Sequence, residues 1–455
     1  MKQWLYVFML WSAGLTGGWT FASAEVPPFQ QGELVIVGNV DVIPGYTAKR
    51  HFPDAGLTVL TVTPGSETRE ISRLRGLGIE AHLNRVAQKF VTTSDPFSSY
   101  QWHFDSVQAQ QAWTLSTGEG VVVAILDTGL NSGGPDGVNC VVSPASMLGN
   151  PSGFTDGDGH GTHVSGTVAQ KTNNGVGVAG LAHGSCIMPV KVLSDEGSGT
   201  FADIAAGIVY AVDHGARVIN MSLGISARYG ITHDAVMDPA LDYAYAAGVT
   251  VVAAAGNDGF KKNVSYPAIY DTTLAVGATD YRNTLARYSN QGTGLDLVAP
   301  GGNLSTDANG DGYADGVLQE TFDSSGFGYW FYQGTSMASP HVTAIVALLI
   351  AHGTASSPDD VKSALTQTAL DLGETGPDAK YGYGLIQAYD ALQWGAGGTS
   401  LPQPVGSCTD LDGDGVCAEE GDCDDSNAQV YPGFNEKGRR SRDGLDNDCN
   451  GIIDG

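Results

Sequence analysis

Basic residues are scarce in this 455-residue chain: 22 Lys and Arg stand against 49 Asp and Glu, a formal net charge of −27. A deficit of that size excludes a partner held by phosphate neutralisation, so no nucleic acid is expected. Long apolar runs are lacking as well. The first, from Trp4 to Leu15, follows Lys2 and leads to Ala22-Ser23-Ala24. It is too short to span a membrane and has the parts of an export signal, with cleavage expected before Glu25. No later run reaches the spanning length, so no membrane span is expected and the product should be secreted in soluble form. Cysteine is limited to six residues, none in the histidine context of a thiol nucleophile. In an exported chain an even number reads as disulfides. Cys140 and Cys186 lie mid-chain, while Cys408, Cys417, Cys423 and Cys449 cluster at the end. If each region closes on itself, Cys140–Cys186 follows by elimination, and the last four admit three pairings.

Chemistry is concentrated in a few segments. Asp127-Thr128-Gly129 supplies a carboxylate, His160-Gly161-Thr162-His163 an imidazole, Ala254-Ala255-Gly256-Asn257 an amide, and Gly334-Thr335-Ser336-Met337-Ala338-Ser339-Pro340 a hydroxyl. A serine hydroxyl is a weak nucleophile until a base takes its proton during attack, which is the work expected of His160. Asp127 would fix the imidazole tautomer and stabilise the imidazolium. Asn257 and the Ser336 backbone N–H could receive the oxyanion. The unbroken apolar run Val121-Val122-Val123-Ala124-Ile125-Leu126 ends at Asp127, as in a strand buried on both faces of a parallel sheet. Val218-Ile219-Asn220-Met221 runs likewise into Ser222-Leu223-Gly224, and Val249 to Ala254 into Gly256-Asn257. Three carboxyl strand ends therefore converge where an α/β sheet binds ligands. Ser336 opens a helix instead, with Pro340 expected in its first turn. His163, His341 and Ser339 lie in the same motifs and read as packing residues. The pair Asp156 and Asp158 ahead of His160 reads as a loop feature rather than a metal site.

In this order the motifs resemble those of subtilisin-like serine endopeptidases, the subtilase family, over roughly residues 98–391. The resemblance implies an α/β fold, a mostly parallel central sheet flanked by helices, acting on protein and peptide substrates as a monomer. It further implies that Ser222-Leu223-Gly224 and Gly197-Ser198-Gly199 pair with an extended substrate backbone. The primary pocket would be walled by Leu223 and Ala254-Ala255-Gly256, with Ser265 near its floor. No acid or base is expected there, so an apolar or aromatic side chain should precede the cut. Gln333 departs from the Asn of many relatives. A structural calcium ion is implied at Asn173-Asn174-Gly175, with Asn174 and Asp136 as ligands.

The remaining regions divide around this domain. Residues 1–24 are the signal and residues 25–95 a small α+β segment, with strands at Leu34-Val35-Ile36-Val37 and from Leu57 to Val62 and a basic helix from Glu67 to Arg75. It is expected to be the enzyme's own propeptide, which inhibits until removed; a permanent accessory domain is the alternative. The peptidase domain is assigned to residues 96–394 and a Gly-, Pro- and Ser-rich linker to 395–407. Residues 408–455 form an acidic tail with almost no apolar residues, which burial cannot fold, so disulfides and metal would hold it. Asp410, Asp412 and Asp414 alternate ahead of Gly415, and Asp446, Asp448, Asn450 and Asp454 repeat the plan, resembling calcium repeats of thrombospondin type 3 and dockerin modules. A disordered acidic tail is the other reading. Asp307, Asn309, Asp311 and Asp315 form a similar calcium loop within the enzyme, with a plain surface turn as the alternative. For the whole chain, the rival to a secreted peptidase is a non-catalytic, calcium-dependent attachment protein on the same scaffold.

Overall fold

A computed structural model describes residues 3–4, 29–37, 43, 45–52, 55–85, 93–150 and 153–395. The expected signal apart from residues 3–4, the linker beyond residue 395 and the entire acidic tail lie outside the described residues. The tail's candidate ligands Asp410, Asp412, Asp414, Asp446, Asp448, Asn450 and Asp454 lie outside them too.

A two-residue strand, β1 (Gln3–Trp4), pairs antiparallel with the later segment Trp330–Phe331. Next come β2 (Phe29–Val37), β3 (Thr47–Phe52), β4 (Leu57–Thr61), α1 (Glu67–Gly76) and β5 (Ala81–Arg85). The four strands after β1 form an antiparallel sheet in the order β3-β4-β2-β5. Period-2 alternation turns Leu34, Ile36 and Leu60 inward, where they meet Leu74 of α1 and Ala81 in a small core of their own.

Two short helices, α2 (Trp102–Ser106) and α3 (Ala109–Ala112), lead into the larger domain. Its elements follow as β6 (Val122–Asp127), β7 (Ala145–Ser146), α4 (His160–Ala169), β8 (Cys186–Lys191), α5 (Phe201–Asp213), β9 (Val218–Met221), α6 (Asp238–Ala246), β10 (Thr250–Ala254), β11 (Thr273–Thr279) and β12 (Leu297–Pro300). The strands form one parallel sheet of seven in the order β12-β11-β10-β9-β6-β8-β7. A hairpin of β13 (Val317–Asp323) and β14 (Gly326–Tyr332) precedes α7 (Thr335–His352), α8 (Pro358–Thr368) and α9 (Ala388–Leu392). Helices α5 and α6 pack together on one face, over Leu126, Met188, Ile219 and Val251. Helices α4 and α7 pack on each other and against the sheet. Both faces are thus covered, which is why the strands read as continuous apolar runs.

Because β6 lies between β8 and β9, the chain builds outward from it in both directions, and a crevice opens at its carboxyl end. Asp127 stands at that end. By length and composition α7 could cross a membrane, but its residues are mostly buried, so it is a core helix rather than a span. A disulfide joins Cys140, after β6, to Cys186 at the start of β8.

Candidate active site

Asp127 is fully buried as the last residue of β6. The chain leaves the strand at Gly129, whose φ of +110° suits glycine and where a β-carbon would stand 2.3 Å from the Phe154 carbonyl oxygen. Asp127 Oδ1 accepts from the Thr128 N–H at 2.7 Å and from His160 Nδ1–H at 2.7 Å. His160 opens α4, and its side chain is 26% exposed against 0% for Asp127. Burial opposes its protonation, yet the adjacent Asp127 carboxylate outweighs burial, helped by Asp158 and Asp156, and the pKa rises above 6.5. With Nδ1 committed to Asp127, Nε2 is the nitrogen left for a substrate or nucleophile.

Asp156 organises the start of α4. Its carboxylate accepts from the N–H groups of Asp158, Gly159 and Thr162 and from the hydroxyls of Thr128 and Thr162. His163 turns the other way. It is fully buried, with Nε2 3.1 Å from both the Val317 and Trp330 carbonyls and its ring stacked 4.3 Å from Tyr332. Burial drives its pKa down to about 3.

Ser336 is the second residue of α7, and Pro340 lies in the second turn rather than the first. Having no N–H, Pro340 leaves the Ser336 carbonyl without its helical donor. That carbonyl accepts instead from Ser222 Oγ at 2.8 Å. Ser222 Oγ in turn accepts from Asn220 Nδ2, while Ser339 and Thr343 donate to Asn220 Oδ1. This network ties the start of α7 to the end of β9. Ser336 Oγ donates to the Ser222 carbonyl at 3.3 Å, and no hydrogen bond joins it to His160 among the described residues. Such links are commonly loose without substrate, and a rotation about χ1 redirects the hydroxyl.

Asn257 follows β10. Its Oδ1 accepts both the N–H and the Oγ1–H of Thr335, each at 2.9 Å, so Nδ2 faces away from α7's backbone. A β-carbon on Gly334 would stand 3.6 Å from Asn257 Nδ2 and 3.7 Å from the Ser336 nitrogen. Both donors therefore border one small space. Helix-start N–H groups such as that of Ser336 have no intrahelical partner and suit an anion.

Two cavities meet at these residues. One of about 460 Å³ is lined by His160, Gly197, Ser198, Gly199, Ser222, Leu223 and Gly224. The other, about 320 Å³, shares Ser222, Leu223 and Gly224 and adds Ala254, Gly256, Asn257, Ser265 and Ser336. Ala255 does not line it. Side chains alternate along β10, so Ala253 and Ala255 enter the core while Ala254 faces the cavity. Gly256 is required at the floor, because its φ is +100° and a β-carbon would stand 2.2 Å from Ser265 Oγ. The sequence expectation of no charged group is overturned, since Asp258 lines the same cavity.

The acidic positions behave differently from one another. Asp136 Oδ1 accepts from Asn174 Nδ2 at 2.8 Å and Oδ2 from the Val178 N–H at 2.9 Å. Asp95, missed by sequence reasoning, accepts from the N–H groups of Asn173, Asn174 and Gly175. Glu320 accepts from the N–H groups of Asp136 and Gly137, and Tyr329 Oη is buried nearby without a partner. Burial, with the Glu320 and Asp95 charges adding, raises the Asp136 pKa to about 7. An all-oxygen donor set carrying excess negative charge fits a hard cation. In the 307–315 loop Asp307 and Asp315 line one cavity of about 240 Å³. Asp307 accepts from the N–H groups of Gly310, Asp311 and Gly312, and Asn309 donates to Asp311. Only Asp315 Oδ1 is buried and unpartnered. Among the described residues no three His, Cys, Asp or Glu side chains gather at metal-binding distance.

Residues 118–384 match the family model of the subtilases, peptidase family S8. The chain belongs to the subtilase family. It is 38% identical to thermitase of Thermoactinomyces vulgaris over 304 residues, 67% of this chain and 100% of that one. To subtilisin Savinase of Lederbergia lenta it is 40% identical over 296 residues, 65% and 99% of the two chains. Among solved structures, a protease from Pseudoalteromonas arctica matches with a TM-score of 0.60 and 33% identity, over 66% of this chain and 99% of that one. This subtilase is a serine-type endopeptidase. Residues 422–455 of its tail also match a proposed metal-binding motif, the copper-binding MopE family model.

Proposed function

We propose that this subtilase cleaves proteins by attack of Ser336 Oγ on a peptide carbonyl carbon. His160 Nε2 takes the hydroxyl proton as the bond to carbon forms, and later gives it to the departing amine. Asp127 holds the imidazole and stabilises its charged form. Asn257 Nδ2 and the Ser336 N–H receive the oxyanion. Collapse breaks the C–N bond and leaves an acyl-enzyme; water attacks it with His160 again as base, the bond from carbon to Ser336 Oγ breaks, the acid product leaves and His160 returns the proton to Ser336 Oγ. Ser222-Leu223-Gly224 and Gly197-Ser198-Gly199 align the substrate as an added strand. The observation carrying this reading is the 2.7 Å pair between His160 Nδ1 and buried Asp127, where His160 lines a cavity that shares Ser222, Leu223 and Gly224 with the one lined by Ser336. The test is casein hydrolysis by the purified secreted protein, with a serine-directed inhibitor and with Ser336→Ala. Hydrolysis unaffected by both would sink it.

The chain's other regions fit export of a precursor. Residues 1–24 act as signal, and residues 25–95 act as a propeptide, a role consistent with the separate core of the 29–85 segment. Because Asp95 holds the loop at Asn173–Gly175, the maturation cut is assigned just before it, which shortens the propeptide expected from the sequence by one residue, to 25–94. Calcium would be held by Asp95, Asp136 and Asn174, taking no part in the reaction and stabilising the loop that follows α4. The acidic tail is assigned metal binding of its own.

A further inference from the structure

We infer that Asn290 is a positioning residue that sets the place of the oxyanion donor Asn257 without touching the substrate. The inference rests on Asn257 being that donor. Asn257 is exposed on the turn that follows β10. Exposed turns are ordinarily mobile, whereas a catalytic donor has to keep its place to within about 0.5 Å. Thr335 of α7 holds the Oδ1 end of the Asn257 side chain. The backbone end needs a second anchor, and Asn290 supplies it from the other side.

Asn290 lies between β11 and β12, is fully buried, and lines neither crevice cavity. Its neighbour Ser289 fastens it to the sheet, with Oγ accepting from the Ala278 N–H of β11 at 3.0 Å. The Asn290 carboxamide spends its whole capacity of two donors and two lone pairs on one segment. Oδ1 accepts from the N–H groups of Asp258 and Phe260, at 3.1 and 2.9 Å. Nδ2 donates to the Ala255 carbonyl at 3.0 Å and to Ser265 Oγ at 3.2 Å. The Asn290 backbone N–H adds a bond to the Gly256 carbonyl at 2.9 Å. These bonds fall on both sides of Asn257, at residues 255 and 256 before it and at 258 and 260 after it. Aspartate would offer no donor to Ala255 and Ser265, and an apolar side chain would leave the N–H groups of Asp258 and Phe260 unpaired. The turn would then shift, and Asn257 Nδ2 with it.

The test is a double-mutant cycle on the mature enzyme, placing Asn290→Ala in the wild type and in Asn257→Ala and measuring peptide hydrolysis. In the wild type, Asn290→Ala should lower kcat roughly tenfold to hundredfold, short of the 10²–10³-fold set by losing the donor outright. KM should change by less than about twofold, because Ser265 at the pocket keeps its N–H bond to the Ala255 carbonyl at 2.8 Å. In Asn257→Ala no donor remains to be displaced, so the same substitution should lower kcat by no more than about twofold. Asn290→Ser keeps a hydroxyl that can accept from one of the two N–H groups; it should give an intermediate loss, and it carries the cycle if Asn290→Ala does not fold. A residue that only stabilises the fold would lower Tm and cost the same factor in both backgrounds, or cost nothing in either, and each of those results overturns the proposal. So does a loss carried by KM alone. If Asn257→Ala by itself leaves kcat unchanged, the oxyanion assignment falls and this inference with it, a result distinct from failure at Asn290.

Discussion

His160 and His163 occupy the same helix one turn apart, yet the structure treats them in opposite ways. His160 faces the crevice, partly exposed, against a buried carboxylate, and its pKa rises. His163 faces carbonyl oxygens and an aromatic ring with no charge beside it, and its pKa falls to about 3. α7 repeats the contrast. Ser336 opens onto the crevice, while His341 is buried, with Nδ1–H donating to the Met337 carbonyl and Nε2 accepting from His103, and its pKa is near 4. Reactivity in this fold follows from which face of a helix a group occupies and from what hydrogen-bonding capacity the core leaves open, not from residue type.

Substitutions on the crevice side should produce the largest losses. Ser336→Ala should lower kcat by roughly 10⁶-fold, the scale for removing such a nucleophile, and should accumulate with its N-terminal region uncut. Folding should be unaffected, because the network at this end of α7 uses the Ser336 carbonyl rather than its hydroxyl. Full activity in this variant would break the comparison at once. Asp127→Asn should cost about 10⁴-fold in kcat. With the carboxylate's pull removed, the acid limb of kcat/KM should also move to lower pH; a limb that stays put would mean His160 is not the titrating base. Asn257→Ala should lower kcat by roughly 10²–10³-fold with little change in KM, since the oxyanion exists only along the reaction path.

A titration sharpens the same contrast without chemistry. In Ser336→Ala, NMR should find the His160 imidazole titrating above pH 6.5, while His163 and His341 stay neutral down to pH ~5, given values near 3 and 4. The sign for stability follows. The unfolded chain binds these protons near pH 6.5 and the folded one does not, so His163 and His341 weaken folding as pH falls from about 6.5 toward 4. Two buried histidines titrating near 6.5 would remove the distinction.

The crevice is largely legible in the sequence because each part is local: an apolar strand ending at Asp127, another ending ahead of Asn257, and a helix starting at Ser336. What escapes depends on direction or distance. Sequence places Ala255 in the pocket because residue type does not say which side of β10 a side chain takes; Ala254 and Ala255 are chemically identical. Asp258 goes unnoticed although adjacent to Asn257, since the turn after β10 decides that it faces the cavity. Asp95 meets Asn174 across 79 residues of chain, and nothing local to either reports it. The 307–315 loop carries a calcium-like spacing, and while Asp307 and Asp311 accept from the loop's own amides, Asp315 Oδ1 is buried without a partner. Spacing alone does not separate a metal loop from a self-capped turn.

The smallest expected effect tests that last distinction by comparing the two acidic loops. At Asp136 the carboxylates of Asp95 and Glu320 add to the charge, against which Lys171 acts on Glu320. A cation bound there favours the folded state by mass action, by about 2.7 kcal/mol at a free concentration 100 times its Kd. For a domain of this size, removing that stabilisation should lower Tm by roughly 5–10 °C at most, taking ~2–4 °C per kcal/mol. A chelator should therefore lower the Tm of the mature enzyme and speed its self-digestion. Asp136→Asn should show a lower Tm that calcium no longer raises. Asp311→Asn should leave the calcium response intact, because the extra carboxylates of Asp95 and Glu320 act at Asp136 and not at the 307–315 loop. A calcium response lost in Asp311→Asn and kept in Asp136→Asn would reverse the assignment and make the 307–315 loop the cation site.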